Sequence, residues 1–113
     1  MKTSSAKAKG RRLQDWVRDQ ILTLFPALVL DVDVRCAIMG EGGADVKLSP
    51  KAKNVFPFDI ECKYQEKYKG LYNTMAQAEA HGFNRPLVFI KMNRRDPLVL
   101  MRAETFWGLI NHE

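Results

Sequence analysis

Asp45, Glu61 and Lys63 are the residues whose types and spacing could do chemistry in this chain. In the stretch Val55-Phe56-Pro57-Phe58-Asp59-Ile60-Glu61-Cys62-Lys63, strand alternation sends Asp59, Glu61 and Lys63 to one face and Phe58, Ile60 and Cys62 to the other. One face can pack into a core, and the other carries two carboxylates and an ammonium. Carboxylates held close together repel, so acids at the end of a buried strand cost stability unless something compensates, typically a divalent cation. Asp45 and Glu61 offer hard oxygen ligands for Mg²⁺ and the carbonyl of Cys62 a third, with positions left for water and a phosphate oxygen. Lys63, on the same face as Glu61, can hold or help deprotonate an attacking water and offset charge building on the phosphate. An acid, a spacer and Glu-x-Lys on a strand is the arrangement that metal-dependent phosphodiester cleavage needs. A Glu-x-Lys tripeptide alone occurs by chance on many solvated strands; the alternation around Ile60 and a glycine-rich loop delivering Asp45 give this one weight.

The elements that must position these groups follow from periodicity. Leu13, Trp16, Val17, Ile21, Leu24 and Phe25 recur at spacings of three and four, which predicts an amphipathic helix over 10–25, ended by Pro26. From Leu30 to Ala37 the period becomes two, predicting a half-buried strand. Gly40, Gly42 and Gly43 mark a loop, Asp45 to Leu48 a short strand, and 49–54 a basic loop or single helical turn. The central strand runs over 57–64. A polar connection spans 65–70, a helix 71–81 with Leu71, Met75 and Ala78 on one side and Gly82 as its stop, and a strand covered on both faces 87–90. Asn93 to Pro97 supplies a turn, Leu98 to Met101 a return strand, and a last helix over 104–110 would lay Phe106, Leu109 and Ile110 on the sheet. The order is helix, three strands, helix, two strands, helix, which predicts a mixed sheet with helices packed on it.

At 113 residues and 46% hydrophobic, the chain has room for one domain, over 10–113, preceded by a flexible basic arm at 1–9. The net charge of +5 favours a polyanionic partner. Two cysteines make neither a disulfide framework nor a zinc site, and a reducing, cytoplasmic setting fits them. The basic start is followed by no apolar signal region, and no run is long enough to span a bilayer, so no membrane partner is expected.

The residues around the acids resemble a known family. Lys9-Gly10-Arg11-Arg12-Leu13-Gln14, Met39-Gly40 followed by Gly43-Ala44-Asp45-Val46, Leu48-Ser49-Pro50, and Phe58-Asp59-Ile60-Glu61-Cys62-Lys63 are similar to the PD-(D/E)XK nucleases, in particular the small phage and archaeal Holliday-junction resolvases. Asp45 stands where that family has the acid of its signature, and Glu61 and Lys63 where it has the E-x-K pair. The resemblance covers most of the chain and implies an α/β fold of restriction-endonuclease-like type, a mixed β-sheet flanked by helices in the order α-β-β-β-α-β-β-α. Two departures stand out. Ala44 precedes Asp45 in place of proline, and Gln14 stands where many resolvases carry a glutamate in the first helix. An amide there can still bind metal or orient water through its carbonyl, with one negative charge fewer. Gln77 stands where some relatives in the wider superfamily have a glutamine, with His81 in place of their tyrosine.

The resemblance implies a Mg²⁺-dependent endonuclease, with Mn²⁺ as a substitute, that cuts phosphodiesters at four-way DNA junctions in recombination, inside a bacterial host cell if the chain is phage-encoded. Asp45, Glu61 and Lys63 would be its catalytic residues with Gln14, and Asp45, Glu61 and Cys62 its metal ligands. Arg11, Arg12, Lys51 and Lys53 would bind backbone phosphates of branched DNA without reading sequence. Two symmetric cuts require a homodimer. The alternatives are another PD-(D/E)XK nuclease acting on duplex or ends, and a non-catalytic DNA-binding module of the same fold. The remaining candidates have plainer readings: Asp59 as a surface acid, His81 and His112 as isolated side chains, Trp16 and Trp107 as core, Arg94 and Arg95 as a solvated turn.

Overall fold

Leu13, Val17 and Ile21 stand one turn apart and are 4%, 1% and 3% exposed, so the first helix, α1 (Lys2–Leu24), meets the sheet along a single narrow stripe. The computed structural model describes residues 2–65, 70–82 and 84–110. Residues 66–69, His112 and the side chain of Trp107 lie outside the described residues, and with them the readings made of each. After α1 come β1 (Val34–Cys36), β2 (Val46–Leu48), α2 (Pro50–Val55), β3 (Phe58–Tyr64), α3 (Leu71–Glu79), β4 (Arg85–Lys91), β5 (Leu98–Leu100) and α4 (Ala103–Ile110).

The five strands form one open mixed sheet in the order β1-β2-β3-β4-β5. β1 pairs antiparallel with β2, and β2 with β3; β3 and β4 run parallel, and β5 returns antiparallel on β4. Parallel neighbours need a crossover, and α3 supplies it. Seven register pairs from Phe58↔Arg85 to Tyr64↔Lys91 make β3 and β4 the backbone of the sheet.

The sheet separates two apolar layers. On one face Leu13, Val17, Ile21 and Leu28 pack with Val34, Val46 and Ile60, with Cys62, Tyr64 and Phe89 at the margin. On the other, Met75 and Ala78 of α3 pack with Val88 and Ile90. Glu61 pairs with Val88 and Lys63 with Ile90, so the two polar residues share the face that α3 covers. Ser49 caps α2, its Oγ accepting from the N–H of Ala52 at 3.1 Å, and Pro50 occupies the first turn, where its missing N–H is no loss. Among the described residues no helix is long and apolar enough to cross a membrane.

Several expectations are corrected. From Lys2 onward the expected arm is the start of α1; Ala6, Lys7, Ala8 and Lys9 are good helix formers, and Lys9 Nζ donates to Asn93 Oδ1 at 3.0 Å from far along the chain. The strand expected from Leu30 shrinks to Val34–Cys36 because Asp33 is buried, not turned to solvent. Its carboxylate accepts the Val29 N–H at 2.9 Å and the Ser49 Oγ–H at 2.7 Å, which folds 29–33 into turns with Asp31 at a positive φ of 66°. These hydrogen bonds to its charged form, that from Ser49 first, hold the Asp33 carboxyl below the usual range. In α1, Trp16 is 42% and Leu24 69% exposed, so the stripe is narrower than the periodicity suggests. α3 ends at Glu79, not at Gly82, and its Leu71 is 40% exposed. Among the described side chains of α4, which leave out Ile110 as well as Trp107, Thr105 is buried while Phe106 and Leu109 are exposed.

Candidate active site

Asp45 is placed by its own main chain. Its N–H donates to the Ile60 carbonyl at 2.8 Å and its carbonyl accepts from Ala37 N–H at 2.8 Å, so it sits where β2 joins the sheet, tied to both neighbours. The loop before it, 37–44, is braced by a two-pronged pair: Arg35 Nη1 and Nη2 donate to Glu41 Oε1 and Oε2 at 3.0 and 2.7 Å. Ile38 N–H adds a third hydrogen bond to Glu41 at 3.0 Å, and the Arg35 hydrogen bonds chiefly pull the Glu41 carboxyl down to about 2. Gly40 and Gly43 both take φ of 85°, which a side chain would oppose.

The Asp45 carboxylate then leans onto β3, where Oδ2 accepts the Cys62 N–H at 2.8 Å. N–H and C=O of one strand residue project to the same edge, so the Cys62 carbonyl also faces the side where Asp45 sits. Glu61, one residue earlier, has a side chain only 12% exposed, and His81 Nδ1 stands 3.4 Å from its Oε1. Burial pushes the Glu61 carboxyl up from its ordinary value, and the negative charge of Asp45 adds to the rise; the hydrogen bond and charge of His81, then the charge of Lys63, oppose it. Lys63 follows at the next position on this face, half-buried.

Asp45, Glu61, Lys63 and the Cys62 carbonyl therefore come together where β2 parts from β3. The Cys62 thiol lies on the α1 side, and burial there, ahead of the nearby acids, raises it far above its usual range, so its part in the site is main-chain only. Among the described residues no group of three or more His, Cys, Asp or Glu side chains is assembled to hold a metal. Two carboxylates and a carbonyl, all hard oxygens, fit Mg²⁺, which is usually held by one or two carboxylates and keeps waters and substrate oxygens as its other ligands. Burial and the charge of Asp45, which together raise Glu61, both disfavour its anion, and a cation beside the two carboxylates would relieve that cost.

Other expected site residues are distributed differently. Gln14 belongs to α1, on the sheet face opposite Glu61 and Lys63. Arg11 and Arg12 are exposed on that same helix, whereas Lys51 Nζ donates to the Ala27 carbonyl beyond its far end, at 3.1 Å, so the four cations form no single patch. Of them only Lys53 lines the cleft beside the site, a space of about 410 Å³ bordered also by Gly43, Lys47, Asp59, His81 and Asn84. Gln77 is exposed on α3.

Asp59 is not the free surface acid expected. Its Oδ2 accepts the Asn84 N–H at 2.8 Å and its Oδ1 the Asn84 side-chain amide at 3.3 Å. A Cβ on Gly82 would stand 2.0 Å from Oδ2, so glycine is required for this close approach. Asp59 thereby fastens the segment that carries His81.

Two residues beside the site were not read as part of it from the sequence. His81 looks isolated until α3 crosses over and returns its end to Glu61. Lys47, whose Nζ donates to the Gly42 carbonyl, had a local signal: it lies two residues after Asp45, hence on the same strand face.

The raised Glu61 carboxyl has a pH consequence in metal-free protein. Its neutral form is favoured by the fold, so the stability it contributes is fully present below the unfolded value of about 4.3 and is lost as pH rises through the folded value. Glu61→Gln keeps the shape and removes the titration. In EDTA it is expected to raise the thermal midpoint at pH 8 and to leave it unchanged at pH 3.5, and an unchanged midpoint at both would refute the burial penalty.

Comparison with protein-family models, with curated protein sequences and with solved structures gave no match for this chain.

Proposed function

We propose that this chain is a Mg²⁺-dependent DNA endonuclease of restriction-endonuclease-like topology that cuts phosphodiesters at branched, four-way junctions. The observation that carries the reading is the Asp45 carboxylate fixed on the Cys62 N–H beside a largely buried Glu61, its side chain 12% exposed, with Lys63 next along the same strand face. The antiparallel β1-β2-β3 unit joined by α3 to a parallel β4 supports it, because the resemblance implies three strands, a helix and two more strands in that order; α2, between β2 and β3, is an element that the implied order lacks.

In this account Asp45, Glu61 and the Cys62 carbonyl hold Mg²⁺. When bound, the ion supplies Lewis-acid polarisation of a phosphate oxygen and a lowered pKa for a water. Lys63 holds the attacking water and offsets charge gathering on the phosphorus-bound oxygens. Lys47 and Lys53, on the cleft beside the acids, attract the backbone phosphates on either side of the scissile bond without reading sequence. His81, its Nδ1 3.4 Å from Glu61 Oε1, would restrain the Glu61 carboxylate. Paired cuts across a junction require two such sites related by a two-fold axis, so the working form is a homodimer.

The test is a synthetic four-way junction and a duplex of the same sequence, each incubated with the protein in Mg²⁺ and in EDTA. Metal-dependent nicking of the junction, at least tenfold faster than of the duplex, is expected. Equal cutting of both removes the junction preference, and binding without any cutting leaves a non-catalytic DNA-binding module.

A further inference from the structure

A second surface, on the α1 side of the sheet, carries an aromatic ring and a row of cations that the cutting site does not use. Lys9, Arg12 and Trp16 follow one another at spacings of three and four along α1, a stripe spanning about 10 Å. Trp16 is 42% exposed, and it does not stand on open helix surface. With Arg12, Leu13, Tyr64, Lys91 and Pro97 it lines a concave groove of about 270 Å³, where α1 crosses the ends of β3 and β4. No acidic side chain is among these lining residues.

The groove is built, not incidental. Lys9 Nζ stands 5.7 Å and Lys91 Nζ 5.2 Å from the centre of the Tyr64 ring, within cation–π range. Tyr64 Oη–H and Lys9 Nζ both donate to Asn93 Oδ1 at 3.0 Å, and Lys91 Nζ donates to the Met92 carbonyl at 2.8 Å. The oxygen that receives Lys9 is a neutral amide, which positions that ammonium and leaves its charge in place. Tyr64 thus steadies the cations and leaves the Trp16 indole as the flat surface of the groove.

We infer that this groove binds single-stranded DNA, with an unstacked base against Trp16 and the flanking phosphates against Lys9, Arg12 and Lys91. The single strand is favoured over duplex because paired bases hide their faces in the stack, whereas an aromatic platform beside cations is what an unpaired strand can use. The inference goes beyond the cutting reading and needs no cleavage, only that the chain meets DNA.

The experiment measures anisotropy of a fluorescein-labelled oligothymidylate of about twelve residues, in EDTA and low salt, with wild type, Trp16→Ala, Trp16→Phe and Arg12→Gln. Trp16→Ala is expected to weaken binding by about 5- to 100-fold, the range for loss of one base stack, and Trp16→Phe to stay near wild type. Arg12→Gln is expected to lower the slope of log K against log salt by about 0.7, the value for one contact with a single strand. The inference is overturned if wild type does not bind the oligomer at micromolar concentration, if a folded Trp16→Ala variant binds as tightly as wild type, if Trp16→Phe loses as much binding as Trp16→Ala, or if a duplex of equal length competes equally. Should Trp16-dependent binding appear in a protein that cuts no junction, the cutting reading alone fails.

Discussion

Asp45→Asn is expected to slow single-turnover cleavage of a four-way junction in Mg²⁺ by on the order of 10³-fold while leaving the fold and junction binding intact. The substitution isolates charge from shape. An asparagine Oδ1 can still accept the Cys62 N–H that Asp45 accepts at 2.8 Å, and the main-chain bonds to Ile60 and Ala37 do not involve the side chain. What disappears is the negative charge of Asp45, which adds to the effect of burial on Glu61 and would help attract a cation. A second readout follows by linkage: Mg²⁺ is expected to raise the thermal midpoint of wild type progressively as its concentration passes the dissociation constant, and that rise is expected to be lost in the variant. Cleavage at the wild-type rate would remove Asp45 from the site and the endonuclease reading with it. Lost cleavage with an undiminished Mg²⁺ shift would keep the catalytic role and move the cation elsewhere.

The largest effect on stability is expected at Ile60. It is 1% exposed, it belongs to the central strand, and it packs against the α1 stripe of Val17 and Ile21. Ile60→Ala removes the transfer free energy of three carbons and leaves a cavity that neighbours on a central strand cannot close, costing about 3–4 kcal/mol. For a domain this small, that is a large share of a typical total of about 5–15 kcal/mol and corresponds to a fall of roughly 10 °C or more in thermal midpoint. Leu98→Ala, on a residue 65% exposed on the edge strand, is the control and should move stability by less than about 0.5 kcal/mol. Chemical denaturation of both variants at one pH checks the contrast. Because the Ile60 carbonyl also receives the Asp45 N–H, loosening there should reach the site before global unfolding does, seen as faster amide exchange at Asp45.

Arg35 and Glu41 show why the loop before Asp45 can hold a functional group at all. A glycine-rich segment would otherwise spend its freedom on many conformations, but a fork of two hydrogen bonds at 3.0 and 2.7 Å closes it on itself. The rigid delivery of Asp45 is thus a property of the loop as well as of the strand it enters.

The sequence by itself determined the alternation that divides Phe58, Ile60 and Cys62 from Asp59, Glu61 and Lys63, the helix stripe at Leu13, Val17 and Ile21, and the doubly covered strand at 87–90, because each depends on a period repeated over neighbouring residues. Tertiary structure alone decided the rest. Asp33 left the strand pattern for a partner sixteen residues away, and the basic start of the chain continues α1, with Lys9 reaching Asn93 eighty-four residues on. His81 acquired a role only when the α3 crossover brought it to Glu61, and Trp16 proved half exposed because β4 and its following turn open a groove instead of covering it. Periodicity records which side of an element turns inward. It holds no record of which distant donor, carboxylate or groove wall arrives on that side once the chain has closed.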